Sequence, residues 1–294
     1  MKLNNWMKDI DSAKDLFAIN IPGTHDCVTK YVQLSHISKT QDLTISEQLE
    51  IGVRALDIRV ASKGERLKMV HGIAKAFNTP NKLGRQMDLE DVLLQCYSFL
   101  KQNPTETIIF QFKNDSNKEN EKCFNNLFNT YLKGNENKWF LENRVPALGE
   151  VRGKIYLIRR CKMENRPEYT SKNTGLDFSR WVEQDTAVPE PLTLETKGDH
   201  NAVFIIQDRF KYKPEERWSE CLKPFLDKAT PFDGTYIINY TSTAGGFKGP
   251  KRNSQYLNPL VMKYPFNSKN YYGTVYFDFP TPELMMKIIN LNFE

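Results

Sequence analysis

The chain has 294 residues, of which 39% are hydrophobic and 26% are charged, and its formal net charge is +5. This composition is ordinary for a globular protein, and the length suits one large barrel or two smaller domains. No apolar run approaches the length of a membrane-spanning helix, and the weak positive charge is not the dense basic stripe of a nucleic-acid-binding protein. The N-terminal segment lacks the apolar core and cleavage site of a signal peptide, so we expect none in this chain.

Five cysteines are spread along the chain without a Cys-x-x-Cys pair. They are Cys27, Cys96, Cys123, Cys161 and Cys221. Their odd number and wide spacing indicate neither a disulfide framework nor a zinc site. We expect free, mostly buried thiols.

Short runs rich in β-branched and aromatic residues recur along the chain, each as a nearly continuous apolar segment. That pattern is typical of parallel strands covered on both faces. The predicted strands are Leu16–Ile21, Ala55–Val60, Leu67–Val70, Thr107–Phe112, Ile155–Ile158, Ala202–Gln207, Tyr236–Asn239 and Thr274–Phe277.

Helical patterns lie between several of these strands. Thr44 and Glu47 have the spacing of a capping box and open a short helix, while Asp88 caps a longer helix that ends at Asn103. Further helices are predicted over Lys118–Leu132, Pro214–Ala229 and Pro282–Ile289, and a long loop is predicted over Lys162–Asp199.

Eight strands with intervening helices predict an α/β fold, a single irregular (β/α)8 TIM-like barrel that occupies residues 1–294 as one domain. The barrel is expected to be irregular because only about six residues separate Val60 from Leu67. A crossover helix needs about twice that length.

Polar residues follow the predicted strands, at the ends where such a barrel has its mouth. They are His25, Asp26, Arg59, His71, Lys113, Arg159, Arg160, Asp208, Tyr240 and Asp278. Two of the four histidines, His25 and His71, close apolar runs, whereas His36 and His200 have no supporting context and are expected at the surface. Histidine titrates near neutral pH, so the first pair can supply a general base and a general acid. For each histidine alone, a structural role is the alternative.

Three ordered motifs occur in the first part of the chain: IPGTHD over Ile21–Asp26, QLEIGVRALDIR over Gln48–Arg59, and His71-Gly72. Together with the segment Phe99–Ile109, they resemble the catalytic half of the bacterial phosphatidylinositol-specific phospholipases C. The resemblance weakens after about residue 160 and returns in short stretches at Gln207-Asp208, Asn239–Ser242 and Phe277–Pro280.

The resemblance implies cleavage of phosphatidylinositol, or of glycosylated lipid anchors that contain it, to diacylglycerol and inositol 1,2-cyclic phosphate. His25 would be the general base for the inositol 2-hydroxyl, and His71 the general acid for the leaving diacylglycerol oxygen. Asp278 is implied as the partner of His25, and Asp26 as the partner of His71. Arg59 would hold a non-bridging phosphate oxygen through its planar guanidinium.

Arg59 also bears on the expected cofactors. The calcium-dependent animal relatives of this family place acidic residues where this chain has Arg59, and a fixed positive charge there would repel a cation. We therefore expect no metal and no other cofactor. For the inositol headgroup, the resemblance implies Lys113, Arg160, Asp208 and Phe210 as substrate-binding residues.

The implied partner is a phosphatidylinositol-containing membrane surface, bound peripherally and transiently by a protein that we expect to be monomeric. The four tryptophans fall outside the predicted mouth loops, so other residues would have to contact lipid. The candidates are Val32, Leu34 and Ile37; Ile73, Ala74 and Phe77; and Phe247, Lys248, Lys251 and Arg252. Packing of these loops on the barrel is the alternative. The resemblance suggests a secreted protein, although this chain shows no signal peptide.

Two other functions remain open at this point. A metal-dependent glycerophosphodiester phosphodiesterase would also be a barrel with two histidines, but it would need a cluster of metal-binding acids near Arg59. A non-catalytic phosphoinositide-binding barrel predicts damage to the histidine pair, and both histidines are present.

Overall fold

A mostly parallel β-sheet dominates the computed structural model, which describes residues 2–80, 84–116, 120–184, 190–196 and 201–293. In chain order the strands are β1 (Ile21–Thr24), β2 (Ala55–Lys63), β3 (Arg66–His71), β4 (Ala74–Lys75), β5 (Ile108–Asn114), β6 (Trp139–Phe140), β7 (Ile155–Arg159), β8 (Leu176–Asp177), β9 (Leu192–Glu195), β10 (Val203–Gln207), β11 (Thr235–Tyr240) and β12 (Thr274–Phe277).

Hydrogen-bonded neighbours follow the order β6–β7–β5–β2–β1–β12–β11–β10–β9, with β3 paired to β2, β4 to β3, and β8 to β7. Along this path all pairs are parallel except β9–β10. The arrangement confirms the predicted irregular TIM-like barrel. Within the described part of the chain, hydrogen bonds leave the sheet open between its β6 and β9 ends.

Helices alternate with these strands along the chain. They are α1 (Ser35–Ser38), α2 (Ile45–Glu50), α3 (Leu89–Gln102), α4 (Asn120–Asn126), α5 (Leu148–Val151), α6 (Pro214–Glu216), α7 (Lys223–Asp227), α8 (Gly249–Lys263) and α9 (Pro282–Asn290). Single 3₁₀ segments occur at Leu3–Asp9, Leu16–Ala18, Thr29–Tyr31 and Glu136–Lys138, and π-helical segments follow α4 at Leu127–Leu132 and α6 at Arg217–Leu222.

The predicted capping box at Thr44 and the predicted cap at Asp88 are both confirmed. The Thr44 side chain accepts a hydrogen bond from the Glu47 backbone, and the Glu47 carboxylate accepts one from the Thr44 backbone at the start of α2. Asp88 and Asp91 make the same reciprocal arrangement at the start of α3. These side chains satisfy backbone N–H groups that have no partner within the first helical turn, which is why both helices begin where the sequence indicated.

The core is formed by the apolar strands and the inner faces of the helices. In α3 the buried residues repeat at helical spacing: Leu89, Val92, Leu93, Cys96, Phe99 and Leu100. A fully buried ion pair lies just before the start of β2 and β5, with Arg54 2.9 Å from Glu106. Arg54 also donates to the carbonyls of Leu49 and Leu3, so it ties the N-terminal segment to the start of β2.

Two strand predictions are wrong in informative ways. Leu16–Ala18 forms a 3₁₀ turn, and the strand predicted at Leu16–Ile21 instead begins at Ile21 and runs to Thr24. Leu67–Val70 is a strand but not a parallel one, because it lies within β3, which folds back antiparallel onto β2. The short connection after Val60 therefore makes a hairpin, for which a few residues suffice.

Other boundaries also differ from expectation. The segment Phe247–Arg252 was predicted as a loop, yet α8 begins within it at Gly249. The helix predicted from Lys118 begins outside the described residues, and the predicted loop Lys162–Asp199 contains β8 and β9. In the described part of the chain, no helix has the length and apolar composition needed to cross a membrane.

Candidate active site

The carboxyl ends of β1, β2, β10 and β12 surround a cavity of about 330 Å³. Parallel register explains why distant residues meet there: Thr24 lies opposite Phe277, so His25 and Asp278 leave the sheet side by side. Lining residues include His25, Arg59, His71, Glu183, Asp208, Phe210, Ser242 and Asp278.

His25 is held on both sides by carboxylates. Its Nδ1 lies 2.8 Å from Asp278 Oδ1, and its Nε2 lies 3.2 Å from Asp26 Oδ2. Burial lowers the pKa of His25, but the charges of Asp278 and Asp26 outweigh it and raise this pKa to about 9. The free protein therefore holds His25 as an imidazolium at neutral pH.

His71 reaches the same point by a different route. Because β3 returns antiparallel to β2, its last residue comes back to the level of Arg59 rather than to the end of a parallel strand. Its Nδ1 donates to the Ser38 carbonyl at 2.8 Å, and its Nε2 lies 3.2 Å from Asp26 Oδ2. The rings of His71 and His25 are 6.2 Å apart, centre to centre.

Asp26 is shared by both histidines. Its side chain is fully buried, and its backbone has a φ of 43°, in the left-handed region that residues other than glycine seldom adopt. The other carboxylate oxygen, Oδ1, lies 3.0 Å from Arg59 Nε. Burial raises the pKa of Asp26, while Arg59 and the two histidines oppose that shift.

Arg59 lies among three carboxylates. An ion pair of Arg59 with Asp26 or Asp57 is the structural alternative that the sequence offers to a phosphate contact, whereas the third carboxylate, Asp115, was not predicted as a neighbour. The Arg59 guanidinium is 3.0 Å from Asp57 and 3.8 Å from Asp115. Arg59 holds the pKa of Asp57 at about 2 despite burial, and it also lowers the pKa of Asp115. The Asp57 contact follows from the sequence, since Asp57 lies two residues before Arg59 on β2 and shares its face of the sheet.

Ligand atoms of His25, Asp26 and Asp57 lie within 4.8 Å of one another, close enough to bind one cation. The donors are chemically suitable, but Arg59 contacts two of the three residues at 3.0 Å. A metal would therefore have to share the cluster with a guanidinium whose charge already compensates the carboxylates. The donor set fits a cation poorly for that reason.

The four residues predicted to bind the headgroup lie at the cavity or next to it. Asp208 and Phe210 line it directly, and burial raises the pKa of Asp208. Lys113 and Arg160 both contact Glu183, at 2.9 and 3.4 Å.

Glu183 and Trp181 were not predicted as site residues. Trp181 packs under Arg160, with the guanidinium 3.8 Å from the ring centre. Both residues come from the stretch predicted as a long loop, where no strand periodicity marks which side chains face the cavity.

At the rim, the predicted lipid-contacting residues divide into two groups. Val32, Ala74 and Phe77 are buried and pack on the barrel, so these three predictions are wrong. Leu34, Ile37, Ile73 and Phe247 are exposed by 41%, 56%, 89% and 109%. Lys248, Lys251 and Arg252 are exposed beside Phe247, and His36 is exposed as predicted, whereas His200 lies outside the described residues.

Comparisons with known proteins agree with this arrangement of residues. The model of the phosphatidylinositol-specific phospholipase C X domain matches residues 20–161. The 1-phosphatidylinositol phosphodiesterase of Staphylococcus aureus strain Newman is 30% identical over 276 residues, 88% of this chain and 82% of that protein. This chain belongs to the bacterial phosphatidylinositol-specific phospholipase C family. The resemblance found in the sequence motifs is thereby confirmed.

A further relative and two solved structures are similar along the whole chain. The Listeria monocytogenes 1-phosphatidylinositol phosphodiesterase is 24% identical over 98% of this chain and 84% of its own length. A solved S. aureus phosphatidylinositol-specific phospholipase C superposes with a TM-score of 0.80 at 24% identity, over 100% of this chain and 98% of that one. The solved Listeria phospholipase C gives 0.76 at 23% identity, with 100% of both chains covered.

Proposed function

We propose that this protein cleaves phosphatidylinositol to diacylglycerol and inositol 1,2-cyclic phosphate by general base and general acid catalysis, without a metal. The observation that carries the proposal is the convergence of His25 and His71 on Asp26, each through Nε2 at 3.2 Å, beside the Arg59 guanidinium. This geometry offers two proton-transfer groups and one fixed cation at the mouth of the cavity.

In the first half of the reaction, His25 removes the proton of the inositol 2-hydroxyl. That oxygen attacks the phosphorus of the same molecule, so the new O–P bond closes a ring and no bound nucleophile is needed. Asp278, 2.8 Å from Nδ1, orients the imidazole and stabilises the imidazolium that results. The high pKa of His25 makes its neutral form a strong base but leaves little of that form at neutral pH.

In the second half, the bond between phosphorus and the diacylglycerol oxygen breaks, and His71 donates its Nε2 proton to that oxygen. Asp26 is placed to hold the protonated ring, being 3.2 Å from the same nitrogen. Both histidines contact the Asp26 carboxylate. His25 becomes more positive by one charge when it gains a proton, and His71 becomes less positive by one charge when it loses one. The net charge of the cluster is thus kept nearly constant during the reaction.

Arg59 is proposed to bind a non-bridging phosphate oxygen and to offset the negative charge that develops in the transition state. Its Nε and Nη2 are held by Asp26 and Asp57, which fixes the plane of the guanidinium. Its third nitrogen, Nη1, lies farther from its carboxylate, 3.8 Å from Asp115. To bind Nη1, a phosphate oxygen would have to displace only this one long contact with Asp115.

The headgroup is proposed to lie between Phe210 on one side and the cluster of Lys113, Arg160 and Asp208 on the other. A carboxylate and two cations suit a ring of hydroxyl groups, because the carboxylate accepts hydrogen bonds and the cations donate them. Glu183 contacts both cations, so it sets how far each can reach into the cavity.

The exposed apolar rim is proposed to contact the lipid surface, with Lys248, Lys251 and Arg252 facing anionic headgroups. A solved S. aureus relative is described in connection with membrane binding, which agrees with a peripheral attachment. We further propose that residues 1–294 act as one domain, since the buried apolar residues of both halves of the chain join one core. We also propose that the protein acts as a monomer.

The decisive experiment measures release of inositol cyclic phosphate from phosphatidylinositol vesicles in the presence of EDTA. Cyclic phosphate is the expected product, with a rate equal to that without chelator. A rate abolished by EDTA and restored by calcium or another divalent cation would instead support the metal-dependent phosphodiesterase. Headgroup binding without any turnover would support the non-catalytic barrel.

A further inference from the structure

The short helix α1 stands at the rim, and its own sequence does little to hold its shape. It contains four residues, its N-terminus lacks a side-chain cap, and the preceding Leu34 has a φ of 50° in the left-handed region. Leu34 and Ile37 are exposed rather than packed into the core. The position of α1 must therefore be set largely by the elements around it.

One of those elements is the start of α8. Gly249 has a φ of 77°, and a Cβ added to it would lie 2.1 Å from the His36 carbonyl oxygen. Only glycine allows this approach, so the backbone of α8 rests directly against the backbone of α1.

The last residue of α1 contacts the active site through its backbone. The Ser38 carbonyl accepts the hydrogen bond of His71 Nδ1 at 2.8 Å. A carbonyl can only accept, so Nδ1 must carry a hydrogen in either charge state of His71. The proton that His71 gains or loses is then the one on Nε2, which faces Asp26 and the cavity.

We propose that the Ser38 carbonyl, placed by α1 and indirectly by Gly249, is the positioning group that fixes the tautomer and ring orientation of His71. The role as proton donor rests on the proposed function, but the tautomer does not. Without this acceptor, a neutral His71 could hold its hydrogen on Nε2 and present the bare nitrogen away from the substrate. A surface helix would thus control which ring nitrogen exchanges the catalytic proton.

The first test compares Gly249→Ala with the control Gly246→Ala. Gly246 has a similar φ of 79°, but an added Cβ there would meet only side-chain atoms at 3.8 and 4.0 Å. Both changes therefore strain the same loop, and only the first pushes on α1. In ¹H–¹⁵N spectra that report both ring nitrogens, His71 should keep a protonated Nδ1 in the wild type and the control. In Gly249→Ala it should shift toward a mixture of tautomers.

The second test leaves all side chains in place. An ester in place of the peptide bond between Ser38 and Lys39 weakens the Ser38 carbonyl as an acceptor and removes the Lys39 N–H bond to Ser35. The matched control is an ester between His36 and Ile37, which removes the equivalent Ile37 N–H bond to Leu34 without touching the His71 acceptor.

We expect the first ester to alter the Nδ1 signal of His71 and to lower kcat on a soluble inositol phosphodiester about tenfold, with KM within about twofold. The control ester should change neither. If the two esters give the same spectra and the same kcat, the proposal is wrong. Failure of the proposed function is a separate result, because the wild-type protein would then release no cyclic phosphate while the spectra still reported the His71 tautomer.

Discussion

Replacing Asp278 with Asn should remove the carboxylate that does more than Asp26 to raise the pKa of His25. Asp278 is the leading cause that raises the pKa of His25 from 6.5 to about 9, with burial acting against it. Each pKa unit corresponds to about 1.4 kcal/mol, so the full shift represents roughly 3 kcal/mol of preference for the imidazolium in the folded protein. Most of that preference should disappear in Asp278→Asn.

The sign of the stability effect follows from the raised pKa. Stabilisation by a charged His25 is fully present below about pH 6.5 and is lost as the pH rises through about 9. The free energy of unfolding of the wild type should therefore fall over this interval by an amount on the order of the 3 kcal/mol above, and the fall should be much smaller in Asp278→Asn. Urea unfolding at a series of pH values measures both.

Kinetics and spectroscopy complete this test. As neutral His25 forms, kcat/KM should rise with pH toward about pH 9 in the wild type and at lower pH in Asp278→Asn. The plateau of the variant should be about 10²–10⁴-fold lower than that of the wild type, because no carboxylate at position 278 stabilises the imidazolium. Asp227→Asn, which alters an exposed carboxylate paired with Lys223, is the control and should leave these profiles unchanged. An NMR titration midpoint for His25 that is equal in wild type and Asp278→Asn would refute the reasoning.

The other predictions concern the same site and its rim. Alanine at His25 or at His71 should each lower turnover on phosphatidylinositol vesicles by several powers of ten, and the double variant should be little worse than either; near-normal turnover of His71→Ala would disprove its assignment. Arg59→Lys keeps the charge but loses the planar guanidinium that Asp26 and Asp57 hold in place, so kcat should fall about 10²-fold or more; activity within twofold of wild type would contradict a role for the guanidinium geometry. Phe247→Ser and Lys248→Glu should weaken sedimentation with anionic vesicles and cleavage of vesicle lipid while sparing a soluble phosphodiester, whereas equal losses on both substrates would place these residues in the active site instead.

Features that depend on residues close together in the chain could be predicted from the sequence of this protein. The helix starts at Thr44 and Asp88 were predictable because a capping side chain bonds to its own first turn. His25 and Asp26 were recognisable because they are adjacent within a motif, and the polar strand ends were recognisable because a parallel barrel brings them to one mouth.

The tertiary structure decided what depends on register and on distant segments. His71 reaches Asp26 only because β3 folds back on β2, an antiparallel return that an apolar run does not distinguish from a parallel strand. Glu183 contacts Lys113, and the Ser38 carbonyl contacts His71, through a long irregular segment and a four-residue helix that no hydrophobic periodicity marks in the sequence. One carboxylate contacts both histidines because the hairpin of β2 and β3 carries His71 to Asp26, a meeting of distant residues that neither segment specifies by itself. The φ of 43° at Asp26 is likewise a conformation that aspartate tolerates but that its residue type does not dictate.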